Sequence, residues 1–211
     1  LDGAIRFEEA FDLAKKYRMK ALALTDHGNM FGAVEFYQMA IRHGIKPIVG
    51  CEVYVSPGSR FEKRTGEGAE GSYHLTLLVK NRIGYFNLIK LISLAYLEGF
   101  YYKPRIDEKL LTQHSKGLIA LSACLQGKIP QLVLAKKMKE AEELILKYKD
   151  IFGKDNFYLE LTKIGLKEND FSIKGLKEIG KEFDIPLVAT NDCHYLRKED
   201  AKAHDVLLCI Q

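Results

Sequence analysis

The chain has 211 residues, with 32 Lys or Arg against 28 Asp or Glu for a formal charge of +4, and 47% of it is aliphatic, aromatic or cysteine. That balance excludes a disordered chain and a polycationic tail, and the length is enough to bury a core without staples. The four cysteines at 51, 124, 193 and 209 have no short pairwise spacing, and no secretory signal or 18-residue apolar run occurs, which excludes a disulfide scaffold and a membrane helix and points to a reduced, cytoplasmic protein.

Phe7, Ala10, Phe11, Ala14 and Tyr17 recur at spacings of three and four and predict an amphipathic helix over 6–18, ahead of a strand at 20–25. A helix at 31–43 follows, closed by Gly44, and then a strand at 47–55. The Gly-rich, mixed-charge stretch 56–72 reads as a flexible excursion. A strand at 73–80 leads to a helix at 83–97, where Ile83, Phe86, Ile89, Leu91 and Leu94 leave little polar surface and predict deep burial. Residues 99–116 read as irregular with a short helix near 106–113, before a strand at 117–123. One long helix is predicted over 129–151, with Lys136, Lys137, Lys139, Glu140, Glu142 and Glu143 on a solvated face. A strand at 156–162, a helix at 168–183, a strand at 186–191 and a last helix from 198 complete the chain.

Six strands with helices between most of them predict an α/β architecture on a mainly parallel sheet, open or closed into a barrel. No repeat or composition break divides the chain, so a single domain over 1–211 is expected. The chain opens without Met and stops inside the apolar run 207–211, so both edges read as cut from something longer.

Sites in parallel α/β folds form at the carboxyl ends of strands. Asp26 and His27 follow the strand at 20–25, Asp192 and His194 follow 186–191, Cys124 follows 117–123, and Glu52 lies within 47–55. Asp192 and His194 are two apart in a segment read as extended, which turns both side chains to one side. His74 opens its strand instead of closing it. An antiparallel hairpin of 48–55 with 73–80 would bring Glu52 and His74 to one rim and make this a barrel with a reversed strand. His, Asp, Glu and Cys are ligands for zinc and, with less sulfur, for manganese or iron, and this mixture suggests a catalytic site.

Each residue also has a structural reading: Asp26 and Asp192 as helix caps or turn formers, a lone His as a hydrogen-bonded ring, Cys124 as a small buried residue. Cys51 and Cys193 read as packing. His43 and His114 sit at helix ends, and His204 lies in the last helix near the face of Leu207 and Leu208. Tyr101, Tyr102, Lys103 and Arg105 mix aromatics with charge as a nucleic-acid contact does, but an ordinary amphipathic loop is the preferred reading. Arg60, Lys63 and Arg64 could meet phosphates but are diluted by Glu62, Glu67 and Glu70.

The runs LTDHGNMFGAVEFY, GIKPIVGCEVYV, YHLTLLVKN, GLIALSACLQG and ATNDCHYLRKEDAKAHDVLLCIQ, in that order, resemble the polymerase-and-histidinol-phosphatase (PHP) family, in the form that opens the alpha subunit of bacterial replicative DNA polymerase III. The resemblance implies a distorted (β/α)7 barrel, the six strands here being joined by one that precedes this chain, and up to three divalent ions, zinc or manganese. Residue by residue it makes Asp2, His27, Glu52, His74, Cys124, Asp192 and His194 metal ligands. Glu52, Asp192 and His194 are then the catalytic members, Glu52 the bridging carboxylate, and Asp26 the support of an imidazole. A His-x-His pair that the family carries just before the position of Asp2, and the downstream polymerase domains, are not in this sequence.

The activity implied is DNA replication by the parent DNA-directed DNA polymerase, with metal-dependent 3′–5′ exonuclease (proofreading) or related phosphoesterase chemistry in this domain. DNA would be reached through the parent polymerase. Other replicase subunits, a proofreading subunit among them, would be partners, and no membrane is involved. Two alternatives remain: a non-catalytic module that stabilises the polymerase and docks a partner, and a free-standing histidinol-phosphate phosphatase-like hydrolase.

Overall fold

The computed structural model describes residues 2–63 and 71–210. Arg64, Glu67 and Glu70 of the 56–72 excursion lie outside the described residues. One compact unit gathers residues 1–24, 31–48 and 192–211; the other gathers 25–30 and 49–191. With elements numbered in chain order, the first unit holds α1 (Phe7–Lys16), β1 (Ala21–Leu24), α2 (Ala33–His43), the opening of β2 (Lys46–Val55), a 3₁₀ turn (Lys198–Asp200) and α8 (Ala201–Leu208). Its core is Phe11, Ala14, Phe36, Ala40 and Ile45, with Phe7 edge-on to Phe36 at 5.5 Å. α2 ends as its sequence predicts: Gly44 takes the left-handed conformation at φ 68°, and the Gly44 and Ile45 N–H groups donate to the carbonyls of Ile41 and Ala40. His43 does more than sit at a helix end. Its ring lies 3.4 Å from Glu8 and 3.7 Å from Asp12, which ties α2 to α1.

The second unit holds the rest of β2, then β3 (Tyr73–Val79), α3 (Arg82–Leu97), β4 (Arg105–Ile106), α4 (Glu108–His114), β5 (Leu118–Leu121), α5 (Lys128–Leu134), α6 (Met138–Phe152), β6 (Phe157–Thr162), α7 (Lys167–Glu182) and β7 (Leu187–Thr190). The strands run in the order β2-β3-β5-β6-β7, with β4 beside β2. β3 is antiparallel to both its neighbours, while β5, β6 and β7 are mutually parallel and β4 is parallel to β2. The α/β class and the reversed strand expected from the sequence are both present. β4 is an addition: two residues are too few for any hydrophobic period, so the sequence reads them as irregular.

Alternation along β2 and β3 separates two buried faces. Cys51, Val53, Val55, Leu75 and Leu77 join Leu88, Leu91 and Ala95 of α3 in the larger hydrophobic core. Glu52, Tyr54, His74 and Thr76 point the other way, and that polar face carries the candidate site. Of the helix predicted to be deeply buried, Leu88, Leu91 and Ala95 are, but Ile83, Phe86 and Ile89 are exposed, because α3 meets the core along one stripe only. The single helix expected over 129–151 is two. Lys136 turns left-handed at φ 59°, the N–H groups of Lys136 and Lys137 donate to Val133 and Leu132, and α6 restarts at Met138. No helix among the described residues is long and apolar enough to cross a membrane.

α3 begins at Asn81, whose side chain accepts from the Gly84 N–H at 3.1 Å, and its first turn lies directly on the Gly117 bend. A Cβ on Gly84 would fall 1.8 Å from the Gly117 carbonyl oxygen. Gly84→Ala should therefore destabilise the chain by about 1–3 kcal/mol, although alanine is the better helix former by about 1 kcal/mol. Urea unfolding measures this, and a midpoint equal to or above wild type would contradict the close approach.

Candidate metal centre

The loop 25–30 is stitched to β2 by two main-chain hydrogen bonds, Glu52 N–H to the Asp26 carbonyl at 3.0 Å and Gly28 N–H to the Glu52 carbonyl at 2.9 Å. This pairs His27 with Glu52 in a one-residue parallel bridge. Gly28 is required there: its φ is +65°, and a Cβ would lie 2.8 Å from Pro104 and 3.1 Å from the Tyr54 ring. In the β2–β3 hairpin Tyr54 faces His74 and Glu52 faces Thr76, so Glu52 and His74 are diagonal neighbours on one face, as the hairpin reading expects. His74 in turn donates its N–H to Gln126 at 3.1 Å, which holds the loop carrying Cys124 against the start of β3.

Three side chains converge. Glu52 Oε1 lies 2.9 Å from His27 Nδ1 and 2.5 Å from His74 Nδ1. Both are close ion-pair contacts, and beyond them Glu52 Oε1 and His74 Nδ1 are buried with no further partner. Burial alone would raise the Glu52 carboxyl, but the two imidazoles beside it outweigh that and hold it at about 2. A buried anion flanked by two ring nitrogens is the donor chemistry of a divalent cation such as zinc or manganese, so the residues fit such an ion. The Tyr54 ring stacks at 6.2 Å from the His27 ring and stands edge-on to His74 at 5.2 Å, fixing both imidazole planes.

Cys124 follows β5 half-buried and lines a small open cleft with Glu160, Thr162, Asn169 and Ser172; its thiol is not one of the three converging donors. Asp26 contributes its main-chain carbonyl. Asp2, Asp192 and His194 lie in the first unit, where they approach one another. His194 Nε2 is 3.9 Å from the Asp2 carboxylate and Nδ1 is 4.0 Å from that of Asp192. The expected extended geometry of 192–194 is corrected: Asp192 has φ +48°, and the turn lets His194 Nδ1 donate to the Asp192 carbonyl at 2.9 Å. That bond sets the tautomer, with the acceptor lone pair on Nε2.

His204 is a residue the sequence reading passed over. Its Nε2 donates to the Asp2 carbonyl at 2.6 Å, and its ring lies 5.9 Å from that of His194, so it positions two candidate ligands. Nothing local in the sequence signals a bond spanning 202 residues. Arg60 and Arg105 take structural roles, in line with the plainer of their two readings. Arg60 is buried on Asp107 and Glu98, and Arg105 donates to the carbonyls of Gly99, Arg60 and Glu62, so neither meets phosphates.

A family model described as PHP domain matches residues 1–163. Over its full length the chain is 49% identical to the DNA polymerase III subunit alpha of Borreliella burgdorferi and 50% identical to that of Thermus aquaticus. It spans 18% of the length of each of these relatives. Among solved structures, an amidohydrolase from Chromobacterium violaceum superposes with a TM-score of 0.54 over 97% of this chain and 92% of that one, at 14% identity, which shows a shared fold.

Proposed function

Since the chain belongs to the PHP domain family, we propose that it is the metal-dependent phosphoesterase domain of a replicative DNA polymerase alpha subunit, with 3′–5′ exonuclease chemistry on a DNA end. The observation that carries this reading is the convergence of His27 Nδ1, His74 Nδ1 and Glu52 Oε1 on one point. His27, Glu52 and His74 would hold one divalent ion, zinc or manganese by their nitrogen and oxygen donors. Asp2, Asp192 and His194 are proposed as further ligands, as is Cys124. A bound divalent ion supplies a water of lowered pKa and neutralises charge on the phosphate oxygens. The protein's own part is positional: Glu52 stays ionised, the Tyr54 ring fixes both imidazoles, and the Gly28 and β3 main chains hold their donors at fixed places. Nucleotide transfer, the other replicase subunits and a proofreading partner belong to the longer parent in this reading. So does a reducing cytoplasm, with which four cysteines outside any disulfide agree.

The test is elemental analysis after metal loading, together with hydrolysis of bis(p-nitrophenyl) phosphate. At least one divalent ion per chain and metal-dependent turnover are expected, both lost in His27→Ala. Less than one ion per chain, with turnover indifferent to that substitution, would overturn the reading.

A further inference from the structure

Segment 101–104 stands against the candidate metal centre in an uncommon conformation. Tyr101 and Lys103 close a tight turn on each other, the Tyr101 N–H donating to the Lys103 carbonyl at 3.1 Å and the Lys103 N–H to the Tyr101 carbonyl at 2.7 Å. Between them Tyr102 is left-handed at φ +56°, a region that bulky aromatic residues disfavour. Pro104 anchors the far side. It occupies the space a Cβ on Gly28 would need, so the turn is docked on the residue next to His27.

The turn presents two side chains. Lys103 Nζ lies 5.7 Å from the centroid of Tyr54, the same ring that packs on His27 and His74. The Tyr102 ring is edge-on to Tyr101 at 4.6 Å and 68% exposed. Arg105, two residues on, is buried among carbonyls, so of these two cations it is Lys103, half-buried over the Tyr54 ring, that stands at this rim. Backbone strain that persists is held in place by its surroundings and clusters at sites that grip ligands. Here it turns a large aromatic face to water within a few residues of a cation at the cluster's edge. A small phosphate ester has a use for the lysine and none for the ring. A nucleic-acid strand uses both, one for a phosphate oxygen and the other for a base.

Resting on the phosphoesterase reading above, we propose that Tyr102 and Lys103 form the substrate-gripping pair that selects a single-stranded DNA end over a small phosphate ester, Tyr102 by stacking a base and Lys103 by taking a backbone phosphate. Tyr102→Gly is an informative variant because glycine accepts a positive φ without penalty, so removing the ring also relieves the backbone and does not threaten folding.

The experiment uses the whole chain loaded with manganese, and reads two quantities separately. The first is the Kd for a dye-labelled short oligodeoxythymidylate, by fluorescence anisotropy at low salt. The second is kcat/KM on that strand divided by kcat/KM on an aliphatic diester without a ring, such as glycerophosphoglycerol, read by glycerol release. Tyr102→Gly should raise the Kd and lower the ratio about tenfold each, with Tyr102→Phe restoring both. Lys103→Gln should weaken strand binding and reduce the salt slope by about one. Wild-type Kd and ratio in Tyr102→Gly would overturn the proposal. Strand binding that depends on Tyr102 in a chain that hydrolyses neither ester would sustain it and refute the phosphoesterase reading. Turnover of both esters untouched by either substitution would refute the proposal alone.

Discussion

Glu52→Gln is expected to cut the affinity of the chain for divalent cations by at least about a hundredfold, since even partners one step removed from a metal cost 10–100-fold when changed. Glu52 is buried, and its Oε1 is the atom on which the His27 and His74 nitrogens converge. Held at about 2 by those imidazoles, against the upward push of burial, the carboxyl is an anion at any working pH. Glutamine keeps the volume and loses the charge. The hydrogen bonds that seat β2 at this point are main-chain ones, from Glu52 to Asp26 and from Gly28 to Glu52, and they survive the change. The loss should therefore fall on the ion and not on the strand. Calorimetric titration with zinc and with manganese measures it, and wild-type affinity in the amide would remove Glu52 from the ligand set.

The largest effect on stability is expected at Asp107, which does two tasks with one carboxylate. Oδ1 accepts from the Leu110 N–H at 3.0 Å and caps α4, while Oδ2 takes both the Arg60 N–H at 3.1 Å and Arg60 Nη1 at 2.9 Å. Asp107→Ala removes the cap and leaves a buried guanidinium with Glu98 as its remaining carboxylate. Removing one partner of a buried pair costs up to about 3–5 kcal/mol, here toward the lower end because Glu98 stays on the guanidinium, and loss of the cap adds about 1 kcal/mol.

The pH dependence follows from the direction of the shift. Burial would raise the Asp107 carboxyl, but the Leu110 and Arg60 N–H groups and the guanidinium outweigh it and hold it below the ordinary carboxylate value. A depressed folded value means that the stabilisation is complete above the unfolded value, near pH 4, and fades as pH falls through the folded one. Asp107→Asn, which keeps the cap, should trail wild type by a constant amount above that pH and converge on it in acid. A gap that widens in acid would contradict the assignment.

The parts of the fold that the sequence makes legible are those set by period and punctuation. Six strands, the Gly44 stop and the hairpin that brings Glu52 and His74 to one rim are of this kind, because alternation and a glycine at a helix end are local signals. The illegible parts depend on partners distant in sequence. Arg60 and Arg105 read as surface cations until Asp107 and the carbonyls of Gly99, Arg60 and Glu62 surround them. The left-handed residues Lys136 and Asp192 break a helix and bend the 192–194 segment with no glycine to announce it. The exposed side of α3 reads as core because composition cannot tell an apolar stripe that is covered from one that is not. At the candidate site the loops that carry His27, Glu52 and His74 are legible, whereas the packing of the Tyr54 ring on both imidazoles and the reach of His204 to Asp2 require the folded chain.

Cys51 gives the strand that carries Glu52 a built-in reporter of opening. It is next to Glu52 on the opposite face of β2, fully buried, and its thiol is pushed far up by that burial, so it presents neither access nor thiolate to an alkylating reagent. Cys193 and Cys209 are exposed. In one native sample exposed Cys209 is the reference for the reagent, while residue 51 registers only those moments when β2 parts from its core. The ratio of the two rates is the fraction of time the strand stands open when reclosing outpaces the reagent, read without a label, a mutation or a denaturant.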